Sequence, residues 1–252
     1  MRRWLFLIYG GLAHAMFLGV YVYMLGFLGN ILVPKSIDSD PTSPLWYALL
    51  VNASLVGVFG VQHSVMARPT FKRWWTRIIP EPIERSTYVL LSNLAMILLL
   101  WKWEPMGGML WNITDPIART TLHAVFLGGS LLIVFASFLI NHFDLFGTRQ
   151  VWLYFRGRPY TQLRFGVPVL YSYVRHPLYV GWMMVFWVTP TMTVTHLAFA
   201  VLLTAYILVA VRLEERNLLE AHGPAYAEYR KAVPMFVPKF ASARPNPEPT
   251  TA

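Results

Sequence analysis

The chain has 252 residues, 56% hydrophobic and only 13% charged, against about 25% charged in a soluble domain, so most of it belongs in lipid or in a core that lipid surrounds. Its formal charge is +9, but the basic residues lie in short loops between apolar runs and form no continuous basic face. That excludes nucleic acid as the natural partner and points to orientation signals and contacts with anionic membrane lipids. With no cysteine, disulfides, zinc–thiolate sites and a cysteine nucleophile are excluded.

In chain order, the first apolar segment runs from about Trp4 to Leu28, behind Arg2 and Arg3. It is too long for a signal-peptide core and has no small-residue cleavage site after it. The second spans roughly Leu45–Ala67, the third Ser86–Trp103 and the fourth Thr120–Ile140, each long enough to cross the hydrocarbon. The last stretch, Leu178–Val211, is too long for one span and is broken by "VTPTMTVTH" (188–196). Pro190 removes a helical hydrogen bond there, so the pattern predicts a helical hairpin turning near Pro190–Thr195. The expected fold is an all-α integral membrane protein of about six transmembrane segments, the last two forming that hairpin.

The loops give an orientation. Loop 67–85 carries Arg68, Lys72, Arg73, Arg77 and Arg85. Loop 141–177 carries Arg149, Arg156, Arg158, Arg164 and Arg175, and the C-terminal part adds Arg212, Arg216, Arg230, Lys231, Lys239 and Arg244. On the other side, loop 29–44 holds only Lys35, while loop 104–118 and the hairpin turn hold no Lys or Arg. This alternation predicts that both termini are cytoplasmic, in a bacterial inner membrane if the host is bacterial. Residues 1–240 read as one polytopic domain, and the Pro-rich end, 241–252, as a disordered tail. No internal repeat is visible.

Ionisable groups in or near the spans are few: His14, His63, His123 and His196. None has a partner at ligand spacing, and there is no HExxH pattern, so hydrogen bonding within the bundle is expected and no metal site is. His63, at a helix end beside the basic loop, leaves a functional role open. The chemistry-bearing residues gather instead in three C-terminal stretches. "NHFDLFGTRQVWLYFRG" (141–157) leaves the fourth span with His142, Asp144 and Arg149. "YSYVRHPLYVGW" (171–182) leads into the hairpin, and "VRLEERNLLEAHGPAYAEYRKAVPMFVP" (211–238) leads out of it. A hairpin returns to the side it started from, so residues near 176 and near 214 should lie side by side. Two carboxylates, a histidine, arginines and aromatics under a membrane suit a zwitterionic ligand carrying a carboxylate, an adenine and a ribose. A plainer reading stays open: Arg175 snorkelling to headgroups, Pro177 at the first position of a helix, an interfacial tyrosine belt, and Glu214–Arg216 as a solvated helix end.

"RHPLYVG" followed by "EERNLLEAHGPAYAEYRKAVPMFVP" resembles the C-terminal signature of the isoprenylcysteine carboxyl methyltransferase superfamily, over about residues 171–238. "NHFDLFGTRQVWLYFRG" and the whole layout, from near the N-terminus to about residue 240, more specifically resemble the bacterial methanethiol S-methyltransferases. The resemblance implies S-adenosyl-L-methionine as donor, methanethiol as a small thiol acceptor, dimethyl sulfide as product, and no obligate protein partner. It also implies a cytoplasm-facing C-terminal pocket (about 141–238) with Tyr173, Arg175, His176, Pro177, Tyr179, Gly181, Arg212, Glu214 and Glu215 as donor-site residues. Tyr226 and Tyr229 would help close it. One departure is "AHG" (221–223), where prenylcysteine enzymes tend to carry an aromatic before the glycine; His222 bears on how the pocket closes.

Forming a thiolate needs a base or a cation near the sulfur, because a simple thiol is at best as acidic as free cysteine, about pKa 8.5. Asp144, His142 and Arg149 are the candidates, the first two to take a proton and the third to favour the anion. Asp144–Arg149 as a structural ion pair at a helix end is the competing reading. Other acceptors such as a prenylcysteine carboxylate, a nicotinamide-dependent membrane reductase, and a non-enzymatic membrane transporter remain as alternatives from other classes.

Overall fold

The computed structural model describes residues 1–163 and 165–238. Arg164, Lys239, Arg244 and the expected tail 241–252 lie outside the described residues. Five helices are long and apolar enough to cross a membrane: α1 (Arg2–Gly29), α2 (Leu45–Met66), α4 (Glu84–Lys102), α5 (Pro116–Ile140) and α9 (Val194–Ala232). Short helices α3 (Pro69–Trp75), α6 (His142–Leu145) and α7 (Thr148–Phe155) lie in the basic loops, and α8 (Pro177–Trp187) opens the hairpin. Trp4, Leu5, Ile8, Leu12, Leu131 and Phe135 stand exposed on the long helices. In water such faces would drive association; in a bilayer they meet lipid. The expected spans lie on these helices, and the chain is an integral membrane protein.

The first arm of the expected hairpin ends where the sequence placed the turn, and it is short. The 11 residues of α8 rise only about 16 Å, roughly half the hydrocarbon thickness. Pro190 is the cause, since it cannot donate a backbone hydrogen bond and biases the residue before it away from helix. Val188 is already extended, and Thr191–Thr193 (β2) pairs antiparallel with Met109–Asn112 (β1), matching Met109 with Thr193, Trp111 with Met192 and Asn112 with Thr191. The ribbon satisfies the backbone groups that the broken helix leaves open. It adds a small strand pair, at the end opposite the basic loops, to an otherwise helical fold. That end is not free of positive charge: Arg119, in the first turn of α5, donates to Asn112 Oδ1 and Ile113 O.

Close helix packing rests on small residues. A Cβ at Gly181 of α8 would stand 2.8 Å from Gly129 O and 2.7 Å from Ile133 Cγ1; one at Gly129 of α5 would stand 2.7 Å from Met184 Cβ. Without a hydrophobic driving force between helices in lipid, such backbone approach is what dispersion can hold. Polar side chains tie the remaining helices together. Asn93 of α4 donates to Ala13 O of α1. Asn52 of α2 bonds both the carbonyl and the N–H of Glu104.

α9 has 39 residues, about 58 Å of rise, far more than the bilayer needs. It breaks at Gly223 (φ 53°, ψ −128°), just before Pro224. The break turns its last turns back over the start of α8, which creates the site described next.

Candidate active site

At the basic end, the start of α8 and the outer half of α9 meet around one buried carboxylate. Glu215 Oε1 accepts from Arg175 Nε at 2.7 Å and from His176 Nε2 at 3.1 Å, and Oε2 faces Arg230 Nε at 3.2 Å. Both Glu215 and His176 are buried. Pro177 takes the first helical position of α8, where its missing N–H costs nothing, so the helix starts directly behind Arg175 and His176. Arg175 also donates to the carbonyls of Arg230 and Val233. The backbone N–H groups of Arg175 and His176 bond Pro234 O and Met235 O, and Tyr229 donates to Tyr171 O. The returning arm is thereby fastened to the hairpin start by charge and backbone together. Next to this hub, Tyr179 donates to Glu214 Oε2 at 2.9 Å.

These groups end a cavity of about 1110 Å³, slightly above the usual range for ligand sites, about 300–1,000 Å³. Arg175, His176, Tyr179, Glu214, His222, Tyr226 and Tyr229 line its polar end, and Tyr21, Met24, Trp182 and Phe186 line its depth. Along one flank the lining residues Leu18, Val134, Phe138 and Ile140 are also exposed on the outer surface of the bundle. The Tyr226 hydroxyl is buried with no hydrogen-bond partner among the described residues. A buried donor left open on a cavity wall is a place for a ligand atom.

The remaining expected residues fall in different places. Gly181 serves the α5 contact described above and Pro177 the helix start. Tyr173 is half exposed, and Arg212 is exposed; neither lines the cavity. His222 lines it and packs its ring 5.1 Å from that of Phe165, so an aromatic contact is kept despite the altered motif.

Asp144 also lies off the cavity lining. Its Oδ1 accepts from Arg149 at 2.8 Å and its Oδ2 from Tyr160 at 3.2 Å, while Arg149 also donates to the carbonyl and hydroxyl oxygens of Thr161. Burial, and then the Asp144 carboxylate beside it, raise the Tyr160 phenol above its ordinary range, so it stays a donor. These bonds clasp the loop after the fourth span. His142, by contrast, lines the cavity. Burial, and then the neighbouring His14, lower its imidazole below the usual histidine range, so it is neutral near pH 7.

Sequence reasoning missed several partners. His14 sits 3.0 Å from His142 although 128 positions separate the two, and no periodic signal links them. Arg230 appeared in the sequence only as a terminal positive charge. His63 pairs with Tyr88 at 2.8 Å and Ser92 at 3.1 Å on the cavity wall, and His196 bonds Phe186 O at 2.9 Å. Among the described residues no group of three or more His, Cys, Asp or Glu could hold a metal.

Fold and site together define an integral membrane helical bundle with a deep cavity that is polar at one end and apolar along its length. The family profile described as a protein of unknown function (DUF1295) matches residues 109–233. A methanethiol S-methyltransferase of Crocosphaera subtropica is 52% identical, covering 94% of this chain and 93% of its own. One of Mycobacterium tuberculosis is 48% identical, covering 94% and 98%. Methanethiol S-methyltransferase 2 of Bradyrhizobium diazoefficiens is 47% identical, covering 94% and 92%. The chain belongs to the methanethiol S-methyltransferase family. No solved structure matches it.

Proposed function

We propose that the chain methylates the sulfur of methanethiol with S-adenosyl-L-methionine as donor, giving dimethyl sulfide and S-adenosylhomocysteine, at a site facing the cytoplasm. The observation that carries the reading is the single cavity joining the Glu214–Tyr179 and His176–Glu215 pairs to an apolar interior. Its volume accommodates a nucleoside-sized donor and a small acceptor at once. The names of the relatives support the acceptor.

The residues present fit such a donor. The unpartnered Tyr226 hydroxyl and the second oxygen of Glu214 can meet its polar and positively charged groups. Arg175, His176, Tyr179, Glu215 and Tyr229 hold these two in place, and Trp182 and Tyr21 supply aromatic faces that suit a sulfonium. Bound there, the donor supplies an electrophilic methyl group. The protein's part is to align the acceptor, exclude water through the apolar lining, and accept a proton.

The test is headspace analysis of membranes carrying the protein, supplied with methanethiol and donor methyl-labelled with deuterium. Labelled dimethyl sulfide, with S-adenosylhomocysteine in equal amount, is expected. Membranes that produce neither, while the purified protein binds no S-adenosylhomocysteine, overturn the proposal.

A further inference from the structure

Two histidines on the apolar flank of the cavity belong to a hydrogen-bonded chain that ends on Ser137. Ser137 Oγ donates to Val134 O at 2.7 Å. Val134 O can only accept, so the arrangement that keeps both bonds has the hydroxyl accepting at the 2.8 Å contact with His142 Nδ1, with His142 carrying its proton on Nδ1. A neutral imidazole then has only a lone pair on Nε2. In that arrangement His14 is the donor at the 3.0 Å contact between the two Nε2 atoms. That leaves His14 with a lone pair on Nδ1, which has no hydrogen-bond partner among the described residues, and His14 lines the cavity.

The surroundings suit a volatile, apolar thiol. The Phe138 ring stacks on His142 at 4.3 Å and 7°, and Phe146 stacks on His14 at 5.4 Å. The other ring neighbours of His14, Phe17 and Phe143, are uncharged, and among the described residues His142 is the one titratable side chain hydrogen-bonded to or stacked on it. Asp144 cannot compete, because Arg149 and Tyr160 occupy its oxygens away from the cavity.

We propose that His14, backed by His142 and Ser137, is the catalytic residue that takes the proton of the acceptor thiol. The inference rests on the methyl-transfer reading above. The S–H bond breaks towards His14 Nδ1. The sulfur electron pair forms the new C–S bond to the donor methyl as the bond from that methyl to the donor sulfonium breaks. The proton stays on the imidazole, whose positive charge is stabilised by the Nε2–H bond to His142, until water at the cavity mouth removes it.

Nitrogen-15 NMR of histidine-labelled protein in nanodiscs should find His14 as the Nε2–H tautomer and His142 as the Nδ1–H tautomer. His14→Gln should leave S-adenosylhomocysteine affinity unchanged and lower dimethyl sulfide turnover at neutral pH about 100-fold or more. The deficit should shrink as pH rises towards the thiol's own pKa, where solution supplies the thiolate. His14→Gln with wild-type turnover overturns the assignment, as does equal loss of product binding, or a deficit that high pH does not reduce. Should that variant fail to fold, the wild-type spectrum decides: His14 protonated on Nδ1 has no lone pair to offer and ends the proposal. Wild-type membranes without product would sink the reaction itself, whereas active wild type beside a fully active His14→Gln sinks only the base.

Discussion

Glu215 joins two arginines and a histidine on one buried carboxylate, so its removal strands positive charge. Breaking such a buried pair by truncating one partner costs about 3–5 kcal/mol. Glu215→Ala should therefore unfold at markedly lower temperature in detergent and lose S-adenosylhomocysteine affinity by calorimetry. Arg230→Ala, at a side chain 49% exposed against 8% for Arg175, should be much milder. Asp144 stands in contrast. Its ion pair with Arg149 is partly exposed and worth at most about 1 kcal/mol, so Asp144→Asn should lower the midpoint by no more than about 4 °C. It should leave the pH profile of turnover unchanged. His142 gives a signed pH effect: its folded pKa lies below the ordinary value of about 6.5 because of burial and its neighbour His14. As pH falls through 6.5 the unfolded imidazole binds a proton that the folded one refuses. Stability should therefore be lost from about pH 6.5 down to the folded pKa, and His142→Gln should flatten that acid limb in thermal scans.

At the scale of elements, the α5–α8 contact and the α9 break carry the site. Gly181→Val places methyl groups where Gly129 O and Ile133 already stand, and overpacking of this kind costs about 1–3 kcal/mol. Gly128, one position away from Gly129 on α5, has open space around it, so Gly128→Ala should be silent in the same melting assay. Gly223→Ala meets a different obstacle. Nothing crowds the new methyl, but φ of +53° disfavours any residue with a Cβ. The variant should insert and fold its spans yet bind S-adenosylhomocysteine more weakly, because the arm bearing Tyr226, Tyr229 and Arg230 is displaced.

For the whole molecule, the prediction is topological. Reporter fusions after Lys35 and after Thr114 should read as outside, and fusions after Gly157 and at the C-terminus as inside, following the basic loops. A cytoplasmic signal after Thr114 would contradict the placement of the β ribbon opposite the Glu215 hub.

The membrane class, the places of the long spans and the approach of the 175–176 segment to Glu214–Glu215 were legible in the residues alone. Each follows from a local rule: apolar length against bilayer thickness, and a hairpin that returns to its own side. What depends on segments distant in the chain came from packing. Thr191–Thr193 paired with Met109–Asn112, because Pro190 freed backbone groups that this distant strand could satisfy. Gly181, which the resemblance placed among donor residues, turned out to be where two helix backbones nearly touch. Asp144 and His142, two positions apart and equal on paper, were separated by what came to meet them: Arg149 and Tyr160 took the carboxylate, and His14, from the far end of the chain, met the imidazole. No periodicity encodes such a meeting, because side-chain partnership across helices is fixed by packing.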